Sequence, residues 1–343
     1  MAGDANDELS PGGATVRRKT LARRLWRRWG WLVRWGGTAI GLLYVSTLIH
    51  VANVKAAFAN VSLGAMVAAV ALIAASLGIG AVRWRSALRA YGARSRPSLA
   101  TAVRLYFVAG FYNTYLPGAV TGDVVRAVVA HDCFGEHGTT GALAVVFVER
   151  ALGLFALFAL VITGVGLSRD ALGIQGSLRL WSVVGGAAAL AALVMLPLGR
   201  RLARFLPGPL ARIARQLPLV VRPLDFAAAT LLSLATQLAA MVAGWLILRD
   251  LHPGVTFADA LLIIPVASAT AFLPFTVGGT GARENAFVVL GEKILGMSSD
   301  DAVAASLLLW LSALIVGAAG GVLLVLGTGS APAAPAAAKP TPD

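Results

Sequence analysis

The chain has 343 residues, of which 58% are hydrophobic and only 13% are charged. Soluble domains carry about 25% charged residues, so this composition excludes an ordinary globular protein and indicates an integral membrane protein. The formal net charge is +13, and the basic residues cluster beside apolar runs. That placement fits the anionic cytoplasmic face of a membrane, and we expect no nucleic-acid partner.

Three regions follow from the composition along the chain. Residues 1–29 are polar and arginine-rich and are predicted to form a basic cytoplasmic tail. Residues 328–343 are rich in proline and alanine and are predicted to be disordered. Between them, residues 30–327 are predicted to form an all-α, polytopic helix bundle in the membrane.

Six apolar runs are long enough to span a hydrocarbon core of about 30 Å. They are Gly30–His50, Ser62–Ala81, Gly141–Leu167, Arg179–Leu198, Asp225–Leu248 and Ala302–Gly327. Two further stretches, Leu99–Ala130 and Phe257–Leu295, are broken in the middle by proline and glycine. We interpret these two stretches as interrupted, re-entrant hairpins.

The arginines predict the sidedness of the loops, because cytoplasmic loops are enriched in basic residues. Three basic groups are expected inside: the N-terminal tail, a loop with Arg83, Arg85, Arg89, Arg94 and Arg96, and a loop with Arg200, Arg201, Arg204, Arg212, Arg215 and Arg222. The segments near 51–60, 168–177 and 249–254 are expected outside. This assignment puts both chain termini in the cytoplasm.

The two broken stretches are related in sequence. Five residue types of the first stretch are found again 157 positions later, without a gap. They are those of Leu116, Pro117, Val120, Gly122 and Arg126. The same shift carries the first three apolar runs close to the last three. We therefore predict two inverted repeats, about 30–167 and 179–327, with the substrate site at their interface.

The breaks are the predicted location of that site. Pro117 and its counterpart Pro274 remove backbone hydrogen bonds, and freed backbone groups at membrane depth are tolerated only inside protein or beside a watery cavity. Arg126 and Arg283 each follow such a proline by nine residues, and arginine binds phosphate oxygens bidentately. Gly122 and Gly279 are the matching glycines of the two breaks.

Nearby acids complete the candidate set, each with a structural alternative. Asp123 and Glu284 could contact a cationic headgroup, or Asp123 could pair with Arg126 while Glu284 is a helix N-terminal charge. Glu149 and Arg150 lie inside an apolar run, where charged side chains usually line a path or lock helix packing.

Other polar features favour no further chemistry. Asn113 is expected to face the same cavity or to cap the broken helix. The group His131, Asp132, Cys133, Glu136 and His137 lacks a strong metal-ligand spacing, so we predict no metal site and no cofactor. We find no grouping for nucleophilic catalysis and expect that the chain is not an enzyme.

Three motifs, taken together and in order, resemble the lysylphosphatidylglycerol synthase transmembrane region, also called the flippase-like domain family. They are Asn113-Thr-Tyr-Leu116-Pro117-Gly118 with Gly122-Asp123-Val-Val-Arg126, then Glu149-Arg150, then Pro274 with Gly278-Gly279-Thr-Gly281-Ala-Arg283-Glu284. The resemblance covers about residues 30–327. It implies a bacterial or archaeal cytoplasmic-membrane protein of the flippase type.

In bifunctional relatives this region is thought to move aminoacylated phosphatidylglycerol between leaflets. This sequence contains no soluble synthase domain, so we expect that it does not make that lipid itself. It also has Thr121 where the family often has a second glycine.

The leading hypothesis is translocation of a phospholipid or lipid-linked molecule, with Arg126 and Arg283 binding the phosphate of the headgroup. Membrane lipids are then the main partners. A non-transporting partner of a cell-envelope lipid synthase is the second hypothesis. A membrane-embedded enzyme with Asp123 or Glu149 as general base is the third.

Overall fold

The structure is a computed structural model that describes residues 35–36, 38–116, 121–167, 184–187, 203–205, 207–208, 219–272, 276 and 278–327. This part of the chain is helical and contains no strand, which confirms the predicted all-α class. The two predicted tails, 1–29 and 328–343, lie outside the described residues, as does most of the predicted fourth span, Arg179–Leu198.

We number the α-helices in chain order. They are α1 (Thr38–Leu48), α2 (Val51–Asn60), α3 (Leu63–Ala90), α4 (Leu99–Tyr115), α5 (Thr121–Val129), α6 (Gly138–Leu167), α7 (Pro223–Leu251), α8 (Phe257–Ala269), α9 (Ala282–Leu295) and α10 (Ser299–Gly327). Short 3-10 helices cover His131–His137, Ala203–Phe205 and Thr270–Phe272.

Four of the predicted spans are helices that are long and apolar enough to cross a membrane. They are Leu63–Ala90, Gly141–Leu167, Pro223–Leu251 and Ser299–Gly327. The first predicted span differs, because α1 ends at Leu48 and α2 leaves it at a bend of 85°. The segment near 51–60, predicted as an outside loop, is therefore helical, and the two helices count as a fifth span only if they are taken as one broken span.

The prediction that the basic group Arg83, Arg85 and Arg89 lies in a loop is wrong. Helix α3 begins where the Ser62 side chain accepts a hydrogen bond from the backbone N–H of Ala65, and it continues nine residues past the predicted end. Arginine is a good helix former, and nothing in Val82–Ala90 breaks a helix. The apolar run thus marks the lipid-compatible part of α3 and not its length.

Both predicted interruptions are present. In the first stretch α4 ends at Tyr115 and α5 begins at Thr121, and α5 packs back against α4. The second forms α8, a 3-10 turn and α9, and α9 packs back against α8. Pro117 and Pro274, the predicted cause of the breaks, lie outside the described residues.

The helices pack in reciprocal pairs. Helices α3 and α7, which occupy equivalent places in the two predicted repeats, form the most extensive contact of the bundle. In the predicted repeats α4 corresponds to α8, and α6 corresponds to α10. Helix α4 packs on α10, and helix α8 packs on α6. This exchange of partners is what a two-fold relation between the halves would produce. The inverted orientation of the halves stays a prediction.

Candidate functional site

Arg126 on α5 is the centre of a buried cluster of charged side chains. Only 5% of Arg126 is exposed, and its Nη1 donates to Oε2 of Glu149 over 2.7 Å. Its Nη2 donates to Oδ1 of Asp123 over 2.5 Å. One guanidinium therefore links a carboxylate one turn earlier on its own helix with a carboxylate on α6.

Asp123 also holds a second arginine. Its Oδ2 accepts from Nε of Arg150 over 2.8 Å and lies 2.6 Å from Nη2 of the same residue in an ion pair. Arg150 is about one third exposed, whereas Asp123 is buried. The alternative in which Asp123 pairs with Arg126 is thus present in the structure, and Arg150 extends that pair towards a more exposed position.

Glu149 binds a third arginine, which the sequence interpretation had missed. Its Oε1 accepts from Nε of Arg83 over 3.2 Å and from the hydroxyl of Tyr106 over 2.6 Å. Arg83 also donates to the Tyr106 oxygen over 3.1 Å. The sequence does contain a sign of this partner. Glu149 and Arg150 are adjacent on a helix, so their side chains point in different directions and cannot pair with each other. Glu149 needed a cation from another helix.

Aromatic rings complete the surroundings of Arg126. Its guanidinium carbon lies 4.2 Å from the centre of the Tyr106 ring and 5.5 Å from that of Trp84. A guanidinium over an aromatic face is stabilised by the ring quadrupole, more so when it is desolvated. Both α3 and α4 thereby help to hold a charge that would be unfavourable alone.

Gly122 explains how α5 comes close enough to form this cluster. A Cβ atom at this position would lie 2.1 Å from the carbonyl oxygen of Ala109 on α4, so only glycine fits without moving a helix. The backbone N–H of Gly122 donates to Oδ1 of Asn113 over 2.9 Å. Asn113 therefore ties the end of α4 to the start of α5 across the break, as the capping alternative predicts.

The cluster forms one wall of an open cavity of about 200 Å³. This volume is smaller than the roughly 300–1,000 Å³ that is common for small-molecule sites. The charged lining residues are Arg83, Asp123, Arg126, Glu149 and Arg150. The other described lining residues are Leu77, Tyr106, Ala109, Gly110, Asn113, Gly153, Gln237 and Phe272.

The second break carries a smaller and different cluster. Nη2 of Arg283 donates over 2.5 Å to Oε1 of Glu284, its neighbour in sequence, and Nε donates over 3.0 Å to Oγ of Ser306 on α10. The other oxygen of Glu284 accepts from the backbone N–H of Gly281 over 2.7 Å. Glu284 therefore caps the start of α9, as the helix-terminus alternative predicts.

The glycines of this break have left-handed backbone conformations. Gly279 has φ +83° and Gly281 has φ +83°, values that other residues adopt only with strain. A Cβ on Gly281 would lie 2.9 Å from Cα of Gly41, so α1 touches the second break directly. Gly279, Arg283 and Glu284 are not among the described residues that line the cavity.

Thus the structure brings together five predicted site residues: Asn113, Asp123, Arg126, Glu149 and Arg150. Gly122 allows that approach, and Gly279, Arg283 and Glu284 lie at the other break. The structure adds Arg83, Tyr106 and Gln237, and it does not describe Pro117. Among the described residues, no group of three or more His, Cys, Asp or Glu side chains is arranged to hold a metal ion.

The fold and this cluster define a multi-pass membrane protein with charged side chains buried among apolar helices. The family described as lysylphosphatidylglycerol synthase TM region matches the chain over residues 34–321. The chain belongs to this family, as its motifs predict. None of the curated proteins compared with the chain matches it significantly.

Proposed function

We propose that the protein is a flippase-like transporter that moves a phosphate-bearing lipid between the two leaflets. The observation that carries this proposal is the cavity beside Arg126, which places three arginines and two carboxylates among apolar helices. Buried charges in such a bundle are expensive, and they commonly mark the path of a polar substrate. The proposal includes a cytoplasmic membrane, with both chain termini in the cytoplasm, and no enzymatic activity.

The proposed ligand group is the lipid phosphate. Guanidinium groups bind phosphate oxygens through paired hydrogen bonds and remain charged in a buried site. Arg150 is the most exposed of the three arginines and would contact the phosphate first, and Arg126 would contact it deeper in the cavity. Asp123, Glu149 and Asn113 would hold these donors in place.

The second break has a separate role in this proposal. Transport between leaflets needs the cavity to face each leaflet in turn, and transporters built from inverted repeats achieve this by moving one repeat against the other around a fixed site. Binding of phosphate by Arg283, with Glu284 and Gly279 beside it, stays a prediction from the sequence repeat. A lipid synthase that supplies the substrate is a proposed second partner.

A leaflet-exchange assay tests the proposal. The full chain is reconstituted in liposomes with traces of fluorescent phospholipids, and the fraction of label accessible to a membrane-impermeant quencher is followed with time. We expect exchange by the wild type and loss of exchange in Arg126→Lys, because lysine keeps the charge but lacks the planar group that bridges Asp123 and Glu149.

Arg89→Lys is the matched control. Arg89 lies on α3 and pairs with Asp225 over 2.7 Å outside the cavity, so we expect its exchange rate to equal that of the wild type. A folded wild-type protein that exchanges no phospholipid would contradict the proposal. Co-purification with a lipid synthase, or product formation by the purified protein, would then decide between the other two hypotheses.

A further inference from the structure

We infer that the cavity selects lipids with a single negative charge whose headgroup beyond the phosphodiester is neutral and carries hydroxyl groups. Zwitterionic and cationic lipids would bind less well. The transport of such a lipid rests on the proposed function, but the selectivity itself is a property of binding. The inference differs from the aminoacylated, cationic headgroup that the family resemblance implies.

The first argument is the charge of the cavity. Its described lining contains three arginines and two carboxylates, which leave a net charge of +1. One phosphodiester group carries a charge of −1 and would neutralise this wall. A lipid without net charge leaves the excess positive charge in place among apolar helices, where it is unfavourable.

The second argument is that the carboxylates are already occupied. Both oxygens of Asp123 accept hydrogen bonds from arginines, namely Arg126 and Arg150. Both oxygens of Glu149 also accept from arginines, namely Arg83 and Arg126. An ammonium group entering the described cavity would therefore meet three guanidinium groups and no uncommitted carboxylate. A lysine-bearing headgroup adds further positive charge and is disfavoured more strongly.

The third argument is an unsatisfied donor. Arg126 is only 5% exposed, and its buried Nε has no hydrogen-bond partner in the described part of the chain. Buried donors are normally satisfied, so an orphan of this kind calls for an explanation. A phosphodiester oxygen would be an acceptor of suitable charge if its entry into the cavity uncovers this Nε.

The fourth argument is the presence of neutral amides. Because Oδ1 of Asn113 accepts from Gly122, the amide group of Asn113 has two N–H bonds left for a ligand. Gln237 lies in the middle of α7 and lines the same cavity, and its side chain makes no hydrogen bond with the described residues. Amides donate to and accept from hydroxyl groups, whereas neither amide supplies the negative charge that an ammonium group requires.

Binding to the full chain in detergent tests the inference. Isothermal titration calorimetry is carried out with dioctanoyl forms of phosphatidylglycerol, phosphatidylethanolamine and lysyl-phosphatidylglycerol. We expect phosphatidylglycerol to bind at least about tenfold more tightly than either of the others, which corresponds to about 1.4 kcal/mol. Equal or tighter binding of the ethanolamine or lysyl lipid, or no binding of phosphatidylglycerol, would overturn the inference.

Substitutions of Gln237 locate the binding. Gln237→Leu should weaken phosphatidylglycerol binding about fivefold, because the ligand hydroxyl loses a hydrogen-bond partner. Gln237→Glu should remove the preference over phosphatidylethanolamine, because it cancels the net charge of the described lining. Thr230→Val is the control, since Thr230 lies on the same helix outside the cavity and bonds to its own helix backbone at Phe226. Unchanged binding in both Gln237 variants would contradict this site.

Two further measurements separate the possible failures. Glycerophosphoglycerol, the water-soluble headgroup, should displace the lipid; if it does not, the acyl chains alone drive binding and the inference is wrong. The exchange assay is then run with the same lipids. Selective binding of phosphatidylglycerol without exchange would refute the proposed transport and leave the selectivity intact. Unselective binding, together with equally fast exchange of all three lipids, would refute the selectivity alone.

Discussion

The two breaks of the chain carry arginines at matching sequence positions, yet the arginines have different surroundings. Arg126 lies among charged side chains from α3, α5 and α6 and beside a cavity. Arg283 pairs with its neighbour Glu284 and with Ser306 on α10. The first cluster has an excess positive charge, whereas the second is a neutral pair that closes a helix terminus.

The comparison shows that two matching motifs can have similar backbone roles while their side chains have different partners. In both halves a glycine permits a close approach at the break, and an arginine lies in the helix that follows the break. Only the first half gives that arginine a carboxylate from another helix, Glu149 on α6. We therefore expect substitutions in the first cluster to change both stability and lipid exchange, and those in the second to change stability alone.

The largest effect is expected from Glu149→Gln. This change leaves Arg126 and Arg83 without their shared carboxylate in a buried site, and breaking such a pair costs about 3–5 kcal/mol. The unfolding midpoint in detergent should fall sharply and lipid exchange should be lost. Glu292→Gln, at an exposed position on α9, is the control and should change stability by less than about 0.5 kcal/mol. A stable, active Glu149→Gln protein would show that neither stability nor lipid exchange depends on the ion pairs of Glu149.

A smaller effect is expected from Gly122→Ala. The added Cβ would overlap the carbonyl oxygen of Ala109, so α5 must move and shift Arg126, at a cost of about 1–3 kcal/mol. Gly78→Ala on α3 is the matched control, because its Cβ meets no atom within 4 Å, and we expect it to be neutral or slightly stabilising. Chemical denaturation of both variants, with exchange measured in parallel, checks the difference. Equal stability would mean that α4 and α5 are not held in contact.

Glu284→Gln should have a milder effect and should distinguish the two clusters. The glutamine oxygen can still accept from the backbone N–H of Gly281, so the cap survives while the ion pair with Arg283 is lost. We expect a loss of about 1–2 kcal/mol and an exchange rate within twofold of the wild type. If exchange is abolished in a folded Glu284→Gln protein, the second break belongs to the substrate site, as the sequence repeat predicts.

The smallest effects are expected from removing one hydroxyl group in each cluster. Tyr106→Phe removes the oxygen between Arg83 and Glu149, and Ser306→Ala removes the oxygen between Arg283 and Glu284. Each change should cost about 1 kcal/mol of stability. Initial rates of lipid exchange should fall only for Tyr106→Phe. A similar fall for both variants would erase the distinction between the clusters.

Much of the fold could be predicted from local sequence patterns. Apolar runs identified α6, α7 and α10 closely, because a membrane helix needs a continuous apolar stretch of nearly fixed length. The same rule misplaced the end of α3, since the helix continues where the apolar run stops and buried partners take up Arg83. The segment near 51–60 is predicted as an outside loop because it lies between two apolar runs and carries a single basic residue, although nothing in it prevents a helix.

The candidate site could be predicted only in part. The motifs identified Asp123, Arg126, Glu149 and Arg150, because charges inside apolar runs are conspicuous. They could not show that Arg83 and Gln237 join them, since that depends on how α3 and α7 pack against α5 and α6. They also could not separate the two arginines of the repeat, because the distinction lies in which side chains of the neighbouring helices contact each arginine.

The distribution of charges over α3, α5 and α6 has a consequence for how the protein is made. Each charged side chain at the centre of a lone helix costs about 2.5–3.5 kcal/mol to insert, and no helix of this group carries its full set of partners. Arg83 is synthesised well before Glu149, which neutralises it in the finished bundle. We therefore expect the helices from α3 to α6 to remain at the insertion machinery until α6 emerges, and to enter the lipid phase together.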